Sequence, residues 1–357
     1  MKVKINLRNQ GIRLRYLDEL RGFAALYVVL YHLLKMSNAS TKISIWIEKL
    51  IGYGGSGVTI FFVLSGFSMA LTWPKYISSS SPIKNFYIAR IFRIVPLFYF
   101  WIIISLARDY IFKSGDLGVH QAKEILINFL FIFNLIKDYQ YSVVWAGWTI
   151  GVEMIFYLIF PEIKKYLHNS LKKLLLLIFF NIAIVIIFVN KNELFTGVEF
   201  FIFIPTFLSG MFIYIFFRKI KKINNKISKI TLAIGILGVI YLIYSRKENL
   251  YFYYLSVFFY SAIIYGISER GYIFKEINAL KFTGKISYSI YLNHPSIIYI
   301  LRPVYSEIEK SNLTGDVVFA ICSLLTMAIV IPISCLTYYF IEKPFIHMGK
   351  NYINKLS

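Results

Sequence analysis

Arg21 and His32 lie eleven residues apart in the segment YLDELRGFAALYVVLYH. On a helix, eleven residues rise about 16 Å and complete three turns, so both side chains point along one face. A guanidinium at one mouth of an apolar helix and an imidazole deep on the same face suit a long ligand with an anionic end. The imidazole ionises near neutrality, so it is well matched to taking a proton from a hydroxyl. Attack by His32 itself, giving a transient acyl-imidazole, is the alternative route.

Two further ionisable groups stand in apolar surroundings: Glu153 in WAGWTIGVEMIFYLIFP and His294 in SYSIYLNHP. Such groups are costly inside a bilayer and mark function by default. His32, Glu153 and His294 fall at similar depth if their segments cross a membrane, and three titratable groups at one level predict one polar cavity. Separate helix–helix hydrogen bonds are the structural alternative. Glu153 is expected to orient the His32 ring and stabilise its cation, as a carboxylate does in a Ser-His-Asp arrangement. His294 or Ser65 is expected to position an acceptor or stabilise an oxyanion.

Arg90 and Arg93 in YIARIFRIVPLFYF are three apart, adjacent on one helix face. Paired guanidiniums suit phosphate recognition, with anionic lipid headgroups as the other reading. The run GYGGSGVTIFFVLSGF, with Gly52, Gly54, Gly55, Gly57 and Ser65-Gly66, lacks the lysine of a phosphate loop. Its small residues are read as allowing close helix packing. Cys322 and Cys335 lie thirteen residues apart in one apolar run, too far apart on a helix to bridge, and no metal set is expected.

The elements that must hold these groups follow from composition. Of 357 residues, 58% are hydrophobic and 16% charged, against about 25% charged in an average soluble domain. Mean hydropathy is +0.63. These values exclude a soluble enzyme, a disordered chain and a disulfide scaffold. Thirty-nine Lys and Arg against 18 Asp and Glu give a net charge of +21. The basic residues lie between apolar runs, so they orient the chain in a lipid bilayer and do not point to nucleic acid.

Runs long enough to cross cover 18–36, 56–73, 94–112, 145–161, 174–190, 198–217, 231–245, 251–267, 286–301 and 317–341. The run 125–136 is too short and is expected to be re-entrant or interfacial. With that assignment the cytoplasmic loops hold most of the Lys and Arg, including the cluster Arg218, Lys219, Lys221, Lys222, Lys226 and Lys229. Arg246 and Lys247 break the rule. The expectation is an all-α membrane protein: a bundle of about ten transmembrane helices in one domain over 1–357, with both termini cytoplasmic. The N-terminal span is expected to be retained, with no appended soluble domain.

These blocks, in this order, resemble the type-3 family of integral-membrane acyltransferases. YLDELRGFAALYVVLYH, with Asp18, Arg21 and His32, resembles its first-span pattern. GVTIFFVLSGF resembles its second-span block, and ARIFRIVPLFY its two-arginine block. WTIGVEMIFY, with Trp148 and Glu153, and SYSIYLNHP, with Ser287, Tyr288, Tyr291 and His294, resemble its later blocks. Glu19-Leu20 departs from the first block, where a Gly often precedes Leu-Arg, at a solvent-side position.

The resemblance implies a membrane O-acyltransferase that moves an acyl group, by family habit acetyl, from cytoplasmic acyl-CoA to a hydroxyl of an extracytoplasmic or exported glycan. It implies catalytic roles for His32, Glu153 and His294. Arg21, Arg90 and Arg93 would bind the coenzyme's phosphates, and Asp18, Ser65, Trp148, Tyr288 and Tyr291 would support the site. Expected partners are acetyl-CoA or another acyl-CoA and a carbohydrate or glycolipid acceptor. The expected location is the bacterial cytoplasmic membrane. Lacking a fused esterase-like domain, the chain would transfer directly to its final acceptor or to a separate partner. A multi-span exporter of a glycan or lipid-linked sugar is the rival, and a non-catalytic subunit of an export complex a further one.

Overall fold

The computed structural model describes residues 7–37, 43–112, 122–136, 139, 141–190, 200–219, 225–245, 247, 249–270 and 277–356. Among them the backbone is helical, without a strand. The helices are α1 (Leu7–Met36), α2 (Ile45–Gly52), α3 (Gly57–Ile77), α4 (Pro82–Phe112), α5 (Ala122–Phe129), α6 (Trp148–Leu167) and α7 (Leu171–Asn190). They continue as α8 (Phe200–Lys219), α9 (Asn225–Ser245), α10 (Leu250–Arg270), α11 (Asn278–Lys285), α12 (Ser287–Glu309), α13 (Gly315–Thr337) and α14 (Lys343–Leu356). Long apolar runs fold this way because a helix satisfies every backbone group within its own segment, as lipid demands.

Among the described residues six segments combine the length and hydropathy needed to cross a bilayer: Ile45–Ile77, Pro82–Ile111, Phe200–Lys219, Asn225–Ser245, Leu250–Ile267 and Gly315–Lys355. The expected spans 18–36, 145–161, 174–190 and 286–301 also fall on helices, α1, α6, α7 and α12. Three of these four carry His32, Glu153 or His294, polar groups that lower a helix's hydropathy. The run 125–136 is broken into α5 and a single 3₁₀ turn, Phe133–Leu135, with Phe131 in the left-handed region between them at φ 57°. Eight residues of helix reach about 12 Å, far short of the roughly 30 Å hydrocarbon core. Lys221, Lys222 and Arg246 lie outside the described residues, as does the start of the run 198–217.

The chain divides into two compact units. The first comprises Met1–Leu64 and Phe216–Pro332, the second Ser65–Ile215 and Ile333–Ser357.

In the first unit α1 is the hub, packed by α11, α12 and the 3₁₀ turn Tyr53–Ser56, while α9 pairs with α10. The backbones touch. A Cβ on Gly284 of α11 would come within 1.8 Å of the Asp18 carbonyl oxygen. A Cβ on Gly54 would lie 2.6 Å from the Tyr27 carbonyl oxygen, and one on Gly57 2.8 Å from that of Ala24. The glycine run therefore does what close helix packing requires.

In the second unit α4 packs against α6, α14 and a π-helical turn, Tyr338–Glu342. The Tyr87 hydroxyl on α4 donates to the Leu158 carbonyl on α6 at 2.7 Å. A Cβ on Gly66 of α3 would come within 1.9 Å of the Phe207 carbonyl oxygen on α8. The turn ahead of α6 is built on Asn128, whose Oδ1 accepts from Ser142 Oγ at 2.7 Å and from the Val143 amide at 3.1 Å.

Candidate functional site

The first unit holds a histidine pair. His294 Nε2 lies 3.0 Å from His32 Nδ1, although the residues are 262 apart in sequence. Each ring is also tied to its own helix one turn back. His32 Nδ1 is 3.1 Å from the Val28 carbonyl and His294 Nδ1 3.1 Å from the Ile290 carbonyl. Carbonyl oxygens only accept, and this orders the protons of a neutral pair. The Ile290 carbonyl requires the proton of His294 on Nδ1, leaving Nε2 as an acceptor. His32 Nδ1 then carries its proton, shared between His294 Nε2 and the Val28 carbonyl. His32 Nε2 is left with a lone pair. The arrangement presents a base at one defined atom.

Aromatic rings pack around the pair. Tyr31 meets the His32 ring edge-on at 5.1 Å, and Tyr291 lies 5.7 Å from His294. Phe61 packs edge-on against Tyr291 at 5.8 Å. His294 is fully buried, as are Tyr288 and Tyr291 nearly so, whereas His32 is half-buried. A fixed inner ring and a partly open outer one suit a base that must meet a substrate.

Within the same helix, eleven residues before His32, Arg21 Nη1 donates to Asp18 Oδ1 at 3.1 Å. The Asp18 backbone is pressed against Gly284. Glu19 Oε1 accepts the amide of Ile277, the residue that caps α11, at 3.2 Å. Asp18 and Glu19 thus organise the stretch of α1 on which Arg21 stands.

The second unit holds a carboxylate cluster. Glu153 Oε1 accepts from Ser65 Oγ at 2.6 Å and from the Tyr157 hydroxyl, while Ser65 Oγ and the Tyr157 hydroxyl are 3.5 Å apart. The Arg90 guanidinium lies 5.4 Å from the ring centres of both Tyr157 and Phe86, within cation–π range. Arg90 Nε is buried and has no hydrogen-bond partner among the described residues. A buried guanidinium donor left unpaired is costly and fits an anionic ligand such as a phosphate. Arg93 follows one turn later, and Trp148 packs against Phe203 at 5.4 Å.

Every site residue expected from the sequence is thus described. In the first unit His32 has His294 as its ring partner, and in the second Glu153 is held by the hydroxyls of Ser65 and Tyr157. Arg21 belongs to the first unit, Arg90 and Arg93 to the second.

Tyr157 escaped the sequence reading, though a residue four after Glu153 shares its helix face and carried the signal. Glu342, only 2% exposed in the π-helical turn beside α4, was also missed. A single carboxylate in an ordinary-looking helix gives no such cue. Among the described residues no three His, Cys, Asp or Glu side chains gather as a metal set.

A family profile described as "Acyltransferase domain" matches residues 14–338. O-acetyltransferase OatA of Staphylococcus aureus strain NCTC 8325 is 27% identical over 363 residues, covering 92% of this chain and 56% of that protein. The proteins of the same name from strains COL and MRSA252 match equally. The chain spans about half the length of these curated relatives. No solved structure matches significantly.

Proposed function

Because the chain belongs to the type-3 acyltransferase domain family, we propose that it is a multi-pass O-acyltransferase of a bacterial cytoplasmic membrane. It moves an acyl group, acetyl by analogy with the relatives named O-acetyltransferase, from cytoplasmic acyl-CoA to a hydroxyl of an extracytoplasmic or exported glycan. The observation that carries this reading is the polarity of the histidine pair, which leaves His32 Nε2 as the one ring nitrogen free to take a proton.

A sugar hydroxyl attacks a thioester poorly until a base removes its proton. His32 Nε2 takes that proton as the hydroxyl oxygen bonds to the thioester carbonyl carbon. The resulting imidazolium keeps its Nδ1–H on His294 Nε2, which fixes the ring and stabilises its charge, as a carboxylate does in a Ser-His-Asp arrangement. His32 Nε2 returns the proton to sulfur as the carbon–sulfur bond breaks, so the products are the ester and the free thiol.

Arg90, with its unpaired buried Nε, and Arg93 are assigned to the coenzyme's phosphates. Arg21, set by Asp18, is assigned to the same anionic donor. Glu153 is the catalytic carboxylate, positioned by Ser65 and Tyr157. Trp148, Tyr288 and Tyr291 support the site by packing. Ten membrane crossings with both termini cytoplasmic, and α5 with its following turn as the interfacial or re-entrant piece, complete the topology.

Inverted membrane vesicles supplied with radiolabelled acetyl-CoA test the reading. Label should appear on a glycan or glycolipid fraction with the wild-type chain and not with His32→Ala at equal membrane level. Uptake of a sugar lipid without label transfer would favour the exporter, and equal labelling by His32→Ala would end the proposal for this base.

A further inference from the structure

Tyr157, in the second unit, touches both a proposed donor-binding group and the catalytic carboxylate. It is 4% exposed. Its ring centre lies 5.4 Å from the Arg90 guanidinium, and its hydroxyl donates to Glu153 Oε1. Phe86 makes the matching cation–π contact on Arg90, also at 5.4 Å, and packs edge-on against Tyr157 at 6.3 Å. Phe86 in turn stacks on Phe160 at 5.2 Å. Two aromatic faces thus hold one guanidinium, and only one of them carries a polar handle.

We infer that Tyr157 is a positioning residue that couples donor binding at Arg90 to the placement of Glu153. The inference rests on the proposed acyl-CoA reading and deepens it. The physical link is direct. Donating its proton to a carboxylate makes the phenol ring richer in electrons, and a richer ring holds a cation more tightly. The same hydroxyl, with Ser65, pins one oxygen of Glu153. A phosphate that draws Arg90 toward itself therefore pulls on the ring whose hydroxyl orients the carboxylate.

Two variants separate the two contacts. Tyr157→Phe keeps a ring for Arg90 and removes the hydrogen bond. Tyr157→Leu removes both. With acetyl-CoA as the varied substrate in vesicles, Tyr157→Phe should lower kcat by about tenfold or more, the loss of a hydrogen bond to a charged group, and raise KM less than threefold. Tyr157→Leu should lower kcat similarly and raise KM by about tenfold, between the exposed and fully desolvated strengths of a cation–π contact. Phe86→Leu should raise KM without the tenfold fall in kcat.

Equilibrium binding of desulfo-CoA, a non-reactive donor analogue, measures the first contact even in variants too slow to assay. It should weaken clearly in Tyr157→Leu and Phe86→Leu and less than threefold in Tyr157→Phe, which keeps a ring that is only poorer in electrons. Wild-type kcat in Tyr157→Phe, or equal analogue affinity in Tyr157→Phe and Tyr157→Leu, overturns the coupling. Failure of the wild-type chain to bind the analogue or transfer label would instead overturn the acyl-CoA reading beneath it.

Discussion

The histidine pair and the carboxylate cluster solve one problem by different means. Each must hold a reactive group in a single orientation within an apolar bundle. At the pair, orientation comes from the main chain. Both rings rest on the carbonyl one turn back in their own helix, Val28 for His32 and Ile290 for His294. At the cluster, orientation comes from other side chains, with Ser65 and Tyr157 both donating to one oxygen of Glu153. A carbonyl cannot be removed by substitution, and it dictates which ring nitrogen carries the proton. A hydroxyl can rotate, and each one can be deleted singly. The pair should therefore respond to mutation as a switch and the cluster by degrees.

The largest effect tests the switch. His32→Ala removes the base and should lower kcat by about 10³-fold, within the range of general base catalysis, with the protein still present in the membrane. Residual activity above a tenth of wild type would place the base elsewhere. Next, His294→Ala leaves the His32 Nδ1–H with only the Val28 carbonyl and should cost about 10²-fold in kcat. His294→Gln can offer an amide oxygen to the same proton and should recover part of that loss. If alanine and glutamine are equally impaired, the proton order derived for the pair is wrong.

The cluster should yield smaller steps. Glu153→Gln keeps an acceptor for both hydroxyls but removes the charge, and should lower kcat by roughly 30-fold. A shift in donor KM alone would make Glu153 part of binding rather than catalysis. Ser65→Ala removes one of two donors to a charged group and should cost about tenfold, in line with about 1.5 kcal/mol for such a hydrogen bond. A loss as large as that of Glu153→Gln would show that the cluster, too, is all-or-none.

A stability measurement sets the background for these kinetics. Gly284→Ala places a methyl within 1.8 Å of the Asp18 carbonyl. It must part α11 from α1, costing about 1–3 kcal/mol as an overpacked contact does. Thermal unfolding in detergent should show the loss, and Gly52→Ala, where the added methyl meets nothing within 4 Å, should not show it.

Much of this was legible from residue types and spacing. The chemistry-bearing groups stand out because lipid-compatible segments have few others, and a histidine in LYVVLYH or a glutamate in IGVEMIF has no ordinary place. The eleven-residue step from Arg21 to His32 holds because both lie on α1, where local periodicity governs. The grouping of residues from different helices was less legible. Depth in the membrane can be estimated from sequence, whereas lateral position around a bundle cannot, so the ring contact of His32 with His294 could not be specified in advance. Tyr157 was readable in principle, being four residues after Glu153, but 28 tyrosines scattered through the chain hide one with a role.

The amino-acid order alone set the helical, apolar character of the chain and the identities of the few groups able to move protons or hold phosphates. Both are properties of short windows, decided by hydropathy and by backbone hydrogen bonds that close within four residues. The tertiary structure alone decided that His32 meets His294 across 262 residues, and that the free lone pair falls on Nε2. It also decided that Glu153 answers to Ser65 and Tyr157. Such pairings depend on which helix faces pack together, a choice made by the summed contacts of the folded unit, of which no local stretch of sequence carries a record.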